Sequence, residues 1–234
     1  MLQLYHFFRH KLSKNLFLPS AALAPAAFFR FRNLYKYLSF AKHSFFTIKA
    51  SYHSPKGVIT LNKLMIGMYN FECRIFLGMN SLFHQKALNR YFRSSTHLGG
   101  AFCTIFASLL LIVFGEGNIR LAGAASALAL LVSHLQVVLI KKLYPRKRPY
   151  MTLKQAKVLN NPLKDHSFPS GHTTAVFSVI TPVIVFFPIL ALLLIPAGIT
   201  VGLSRIYLGL HYPSDVLAGM VLGVSAGIMS CMIM

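Results

Sequence analysis

Between Thr173 and Leu203 the chain runs for about 31 residues without a charged side chain. At 1.5 Å per residue a straight helix over that stretch would reach roughly 46 Å, against a hydrocarbon core of about 30 Å. Two solutions remain: a strongly tilted helix, or two shorter helices folded back on each other. Pro188, between Phe187 and Ile189, is the expected turn, with Pro182 and Pro196 as kinks inside the two legs. Three further runs are apolar. Leu98–Gly115 is clean. Leu121–Ile140 is interrupted by Ser, His134 and Gln136, and His134 is expected to pack within its span. Val216–Met234 carries Gly219, Gly223 and Gly227, a four-residue spacing of small residues that lets helices approach closely. Counting the fold-back, these runs predict an all-α integral membrane protein, a multi-pass helical bundle of about five transmembrane helices. A mean hydropathy of +0.58 with 55% hydrophobic residues agrees with that class.

Parity gives the fold-back a consequence. With five spans, the polar loop Lys141–Ser170 and the segment SRIYLGLHYPSD, Ser204–Asp215, emerge on the same side. With Thr173–Leu203 crossing once, they would lie on opposite sides.

The N-terminal part reads differently. Residues 1–60 form a basic, aromatic-rich extension, and 61–234 the membrane-embedded domain. Asn15–Phe29 is too short and too proline-marked to span. Leu61–Phe83 is long enough, but Lys63, Glu72 and Arg74 argue against a span. It is expected to be an interfacial amphipathic helix with Leu64, Met68, Phe71, Ile75, Met79 and Leu82 on one face. No compact apolar core with a small-residue cleavage site follows the first basic residues, which speaks against a cleavable secretory signal.

The charge is lopsided, 24 Lys and Arg against 4 Asp and Glu. The bases avoid the apolar runs and gather before Leu98 and between Lys141 and Lys164. That pattern suits anionic head groups and phosphate substrates rather than nucleic acid. Cys73, Cys103 and Cys231, odd in number and widely spaced, read as packing thiols.

Three clusters carry chemistry. KKLYPRKRPY, Lys141–Tyr150, follows a span and taken alone is a topology anchor. In DHSFPSGHTT, Asp165–Thr174, Ser170 is a candidate N-cap. Free N–H groups at Ser170, Gly171 and His172 would make an anion cradle at the helix start. In SRIYLGLHYPSD, His211 and Asp215 stand four apart around a Pro-initiated helix, placing a carboxylate near an imidazole nitrogen. Taken alone, such a pair is equally well local capping.

Together the three spacings resemble the signature of the type 2 phosphatidic acid phosphatase family, whose fold is shared with vanadium haloperoxidases. Lys141, six residues, Arg148-Pro149 is followed by Pro169-Ser170-Gly171-His172, then Ser204-Arg205, five residues, His211, three residues, Asp215. The resemblance runs from about Phe71 to the C-terminus. It implies metal-independent dephosphorylation of a membrane lipid phosphate or diphosphate, and a bacterial cell membrane as the location. Lys141, Arg148 and Arg205 would bind the phosphate with Ser170 and Gly171. His211 would attack phosphorus, oriented by Asp215. His172 would serve as general acid and base. Pro149, Pro169 and Ser204 would support the site.

No metal or other cofactor is expected. Glu72 and Glu116 are distant in sequence, Asp215 is committed to His211, and Asp165 and His166 read as loop residues. The positive-inside rule places the site in the cytoplasm, whereas many bacterial relatives face outward. A haloperoxidase, a small transporter and a noncatalytic lipid-phosphate binder are the rival functions.

Overall fold

The computed structural model describes residues 55–159, 162 and 164–234, with side chains from Lys63 onward. The Asn15–Phe29 stretch and most of the N-terminal extension lie outside them. The chain divides into two compact units, Met1–Lys63 and Leu64–Met234, and the helical bundle belongs to the second.

Among the described residues the secondary structure is helical throughout. The α-helices are α1 Pro55–Ser81, α2 Lys86–Ser95, α3 Ala101–Phe114, α4 Asn118–Leu143, the short α5 Pro149–Thr152, α6 Gly171–Phe186, α7 Ala191–Tyr207 and α8 Pro213–Cys231.

The long apolar run does fold back. Phe187 leaves the helical region, and a 3-10 turn at Pro188–Leu190 joins α6 to α7. Pro188 lacks the N–H that would continue α6. Pro182 and Pro196 sit inside the two legs. The legs are antiparallel: a Cβ on Gly198 would meet Ile180 and Phe177, and one on Gly202 would approach Thr173. The start of α6 and the end of α7 therefore lie at one end of the bundle, as parity requires.

Helix α8 packs alongside α6 in parallel, closely enough to need its glycines. A Cβ on Gly219 would stand 2.6 Å from the Ser170 carbonyl oxygen, and one on Gly223 2.5 Å from that of Thr174. Beside an apolar cluster of Val176, Phe177, Ile180 and Val201, the interior holds small polar side chains, with Ser108, Ser126, Ser133, Thr174 and Ser178 buried. Ser178 donates to Ser133, and Ser126 to the Val179 carbonyl. The exterior carries large apolar side chains such as Phe102, Phe114, Leu131, Leu192 and Val221. That distribution suits a bilayer as solvent.

The expected five spans correspond to α3, α4, α6, α7 and α8, but not all are full crossings. Among the described residues, α4, Pro188–Tyr207 and α8 are long and apolar enough, and α3 joins them if counted with Lys86–Gly99 across a 52° bend. Helix α6 has 16 residues, about 24 Å, because the break at Phe187–Pro188 ends it early.

Helix α1 turns the expected apolar stripe outward. Leu64, Met68, Phe71, Ile75 and Leu82 are exposed, while Met79 packs against the Tyr207 cluster. The opposite face carries buried Cys73, Phe76 and Asn80. Asn80 Nδ2 donates to the carbonyls of Lys157 and Tyr207, 2.9 Å each. His134 does not pack inside its span; it is exposed, beside an apolar cavity of about 380 Å³ between α3, α4 and α6. The inward face of α4 is a stripe of Ala122, Ala125, Ser126, Ala129 and Ser133, too tightly packed for an imidazole.

Candidate active site

Four helix ends meet at one end of the bundle: the C-termini of α4 and α7 and the N-termini of α6 and α8. Each delivers motif residues. Lys141 comes from the last turn of α4, and Arg148 is the N-cap of α5, followed by buried Pro149 at its first position. Pro169 follows a cis peptide and leads into Ser170, the N-cap of α6. Ser204 and Arg205 close α7, and His211 lies in the connection to α8.

Arg148 is buried, and each nitrogen of its guanidinium has a partner. Nη1 donates to the Leu210 carbonyl at 2.8 Å and stands 3.1 Å from His211 Nε2; Nε donates to the Asp165 carbonyl at 2.9 Å, and Nη2 to Asp165 Oδ1 at 2.6 Å. A permanent cation at Nε2 makes that nitrogen the acceptor, which leaves the imidazole proton on Nδ1, facing Asp215. Burial pushes the His211 pKa down to about 4, helped by the charges of Arg205 and Arg148 and opposed by Asp215. The ring is thus neutral at neutral pH, with no proton on Nε2.

His211 Nδ1 lies 3.6 Å from Asp215 Oδ2, beyond hydrogen-bond range, and has no other partner among the described residues. The expected pair is therefore brought together, at a separation longer than a hydrogen bond. Asp215 Oδ2 is held by Ser167 Oγ and, at 2.8 Å, by the Tyr212 N–H. The second contact is a capping interaction at the start of α8, so one carboxylate serves both the helix and the histidine.

Arg205 is also buried. Nη1 donates to Thr96 Oγ1 at 2.7 Å, while Nε has no acceptor among the described residues. His172, second residue of α6, is within electrostatic reach of Arg205, His211, His97 and Lys141. Two supporting expectations change. The Ser170 N–H is not free for an anion, because it donates to the Asp215 carbonyl at 3.0 Å. The cradle then reduces to the N–H groups of Gly171 and His172, which have no acceptor within the helix. Ser204 Oγ bonds back to the Val201 carbonyl at 2.6 Å and so supports its own helix.

Sequence reasoning also missed partners. Asp165 is more than a loop residue: it bridges Lys141 and Arg148. Those hydrogen bonds outweigh the effect of burial and hold its carboxyl at about 2. Arg146, inside the basic run read as an anchor, donates to Asp215 Oδ1 and to Ser214 Oγ, 2.7 Å each, and pairs with Glu72. His166 is exposed in its loop.

Residues 122–234 match the model of the PAP2 superfamily. The chain is 31% identical over 159 residues to phosphatidylglycerophosphatase B of Bacillus subtilis, covering 61% of this chain and 73% of that protein. It is 34% identical over 105 residues to the bacitracin transport permease protein BcrC of Bacillus licheniformis, which covers 45% of this chain and about half, 52%, of that protein. The crystal structure of Aquifex aeolicus LpxE superposes with a TM-score of 0.57 at 25% identity, covering 67% of this chain and 92% of that one. With the motif residues gathered at one bundle end and a relative matched over nearly three quarters of its length, the chain belongs to the PAP2 superfamily.

Proposed function

We propose that this chain is a membrane lipid phosphatase that removes phosphate from a lipid phosphate or diphosphate through a phosphohistidine, without a metal ion. Residues 61–234 are the catalytic unit, the bacterial cell membrane is the location, and nucleic acid is not a partner. Phosphatidate, phosphatidylglycerophosphate and undecaprenyl diphosphate define the substrate class.

The observation that carries this reading is the unused donor of Arg205. A buried guanidinium whose Nε has no acceptor among the described residues is costly to maintain unless a ligand completes it. A phosphoryl group does so, with Arg148, Lys141 and the Gly171 N–H around its other oxygens. His211 Nε2 then attacks phosphorus in line. The phosphorus–oxygen bond to the lipid breaks, and His172 gives its proton to the leaving oxygen. Asp215 accepts from Nδ1–H as positive charge develops on the ring. In the second half His172 takes a proton from water, the water oxygen bonds to phosphorus, the phosphorus–nitrogen bond breaks, and inorganic phosphate leaves. The site lies at the ends of apolar helices, where a phosphate would sit while its lipid tail stays in the bilayer.

The test is phosphate release from a panel of these lipids by detergent-solubilised protein with EDTA present, beside His211→Ala. Release that survives EDTA and disappears in the variant supports the reading. No release by folded wild-type protein would leave a noncatalytic lipid-phosphate binder or a small transporter. Release that EDTA abolishes would sink the metal-free mechanism.

A further inference from the structure

Of the four acidic residues in this chain, Glu72, Asp165 and Asp215 are all paired to cations at this site. Asp165 and Asp215 belong to the motif-bearing segments. Glu72 does not; it stands on α1, which carries none of the motif residues. Its carboxylate is 14% exposed and makes two contacts, Oε1 accepting from Arg146 Nη2 and Oε2 from Ser214 Oγ. Arg146 gives Nη1 to Asp215 Oδ1 and lies 4.0 Å over the ring of Tyr212. Charge therefore alternates along Glu72, Arg146 and Asp215 up to the ring of His211.

That order has an electrostatic consequence. A guanidinium bound to Asp215 alone would draw the carboxylate's charge away from the imidazole. Asp215 would then be a poor acceptor for Nδ1–H and would do little for the positive charge that grows as Nε2 bonds to phosphorus. A second carboxylate on the far side of the guanidinium divides its charge and leaves the trio net negative. It also fixes the fork from both sides, so that Oδ1 is held and Oδ2 faces the ring. We propose that Glu72 is a positioning residue for phosphoryl transfer: through Arg146 it sets the charge that Asp215 presents to His211, so that a helix outside the three motifs tunes the nucleophile. The proposal rests on His211 being the nucleophile.

The plainer role for such a pair is to fasten α1 to the bundle. Other contacts already do this. Phe76 and Asn80 are buried; Asn80 makes two side-chain donations and its Oδ1 accepts from the Lys157 N–H at 2.7 Å. Tyr69 and Phe76 both lie against the ring of Tyr212. Docking is supplied by groups that never touch Asp215.

The test is the pH profile of kcat and KM for a lipid phosphate in wild type, Glu72→Gln and Glu72→Asp. His211 is also faced by Arg148, Arg205 and His172, and Asp215 by Arg146, with Tyr212 beside the guanidinium and Tyr69 against Tyr212. Glu72 substitutions leave all of these in place. Glu72→Gln should lower kcat about tenfold, the lower end for a residue that orients a catalytic group from behind, with KM little changed. The acid limb of kcat/KM should move to lower pH, because a lost negative charge weakens proton binding by His211. Glu72→Asp should restore part of both effects. A mere fastener would lower the amount of folded protein and scale the rate equally at every pH. An unmoved limb in Glu72→Gln overturns the proposal, whether or not kcat falls. If Glu72→Gln does not assemble, Glu72→Asp decides alone: its withdrawn carboxylate must move the limb the same way. Failure of the phosphatase reading looks different, as wild type releasing no phosphate or His211→Ala retaining activity.

Discussion

Two carboxylates hold arginines at the two levels of this site, and they do so under opposite conditions. At the mouth, Asp165 is 51% exposed and bridges Lys141 and Arg148, two cations assigned to the phosphate. At the floor, Asp215 is fully buried and held by Arg146, Ser167 and the Tyr212 N–H. Both are acid–arginine pairs, but exposure separates their roles. The Asp165 carboxylate stands where an anionic ligand would find its donors, and water can take its place when the ligand arrives. The Asp215 carboxylate is shut off from solvent and has three groups fixing it, so it can only orient. Mouth and floor differ in reversibility more than in chemistry.

The sharpest break in the comparison is Asp215→Asn. The amide cannot stabilise an imidazolium, and it forces a donor toward Arg146 or Ser167. A kcat lowered by roughly 10³–10⁴-fold is expected, the scale for an aspartate that orients a catalytic histidine. Steady-state phosphate release measures it. A loss below tenfold would mean that Asp215 serves α8 as a cap and little else.

Arg205→Lys comes next. Lysine keeps the charge but loses Nε and the planar fork. The expected loss in kcat/KM is about 10–100-fold, the equivalent of one hydrogen bond to a charged group. Vanadate affinity should weaken in parallel, since it probes the same oxygens. An unchanged affinity would show that the unpaired Nε is not aimed at the ligand.

The floor also predicts a pH profile. The His211 pKa lies at about 4, below the ordinary 6.5 of a histidine, so the unfolded chain binds this proton more readily than the folded one. Stability from this group is full above pH 6.5 and declines as pH falls toward 4. In activity, the acid limb assigned to the nucleophile should lie near pH 4 rather than 6.5. Inactivation centred at 6.5 would place the histidine in a far wetter site.

Much of this is legible in the sequence. The fold-back follows from a length limit and Pro188, and the α6–α8 contact follows from three glycines four apart. Both are local patterns whose physics needs no partner. The motif residues were legible because their spacing is rigid along the chain. The second layer was not. Glu72 and Arg146 lie 74 residues apart, and a glutamate on an amphipathic helix reads as a surface charge until the tertiary fold turns it inward. The Ser170 N–H was misread for the same reason: its acceptor is a carbonyl on another helix. Sequence exposes what one segment does alone, and it hides groups whose role depends on a distant partner.

The mouth supplies the smallest effect and the most direct test of reversibility. Its carboxyl is held at about 2, so its stabilising contribution is present above the usual 3.8 and is lost as pH falls through 2. At any ordinary assay pH it is therefore a permanent anion on Lys141 and Arg148. If it is displaced in each turnover, Asp165→Asn should bind substrate more tightly, because the amide competes less well for both cations. A KM lower by roughly threefold is expected, within the range of about 0–1 kcal/mol for exposed ion pairs. Product inhibition by phosphate should tighten by a similar factor, with kcat held or slightly reduced by slower release. The opposite result, a raised KM, would mean that Asp165 aligns the two cations rather than occupying them. Mouth and floor would then be the same device at two depths, and exposure would no longer distinguish them.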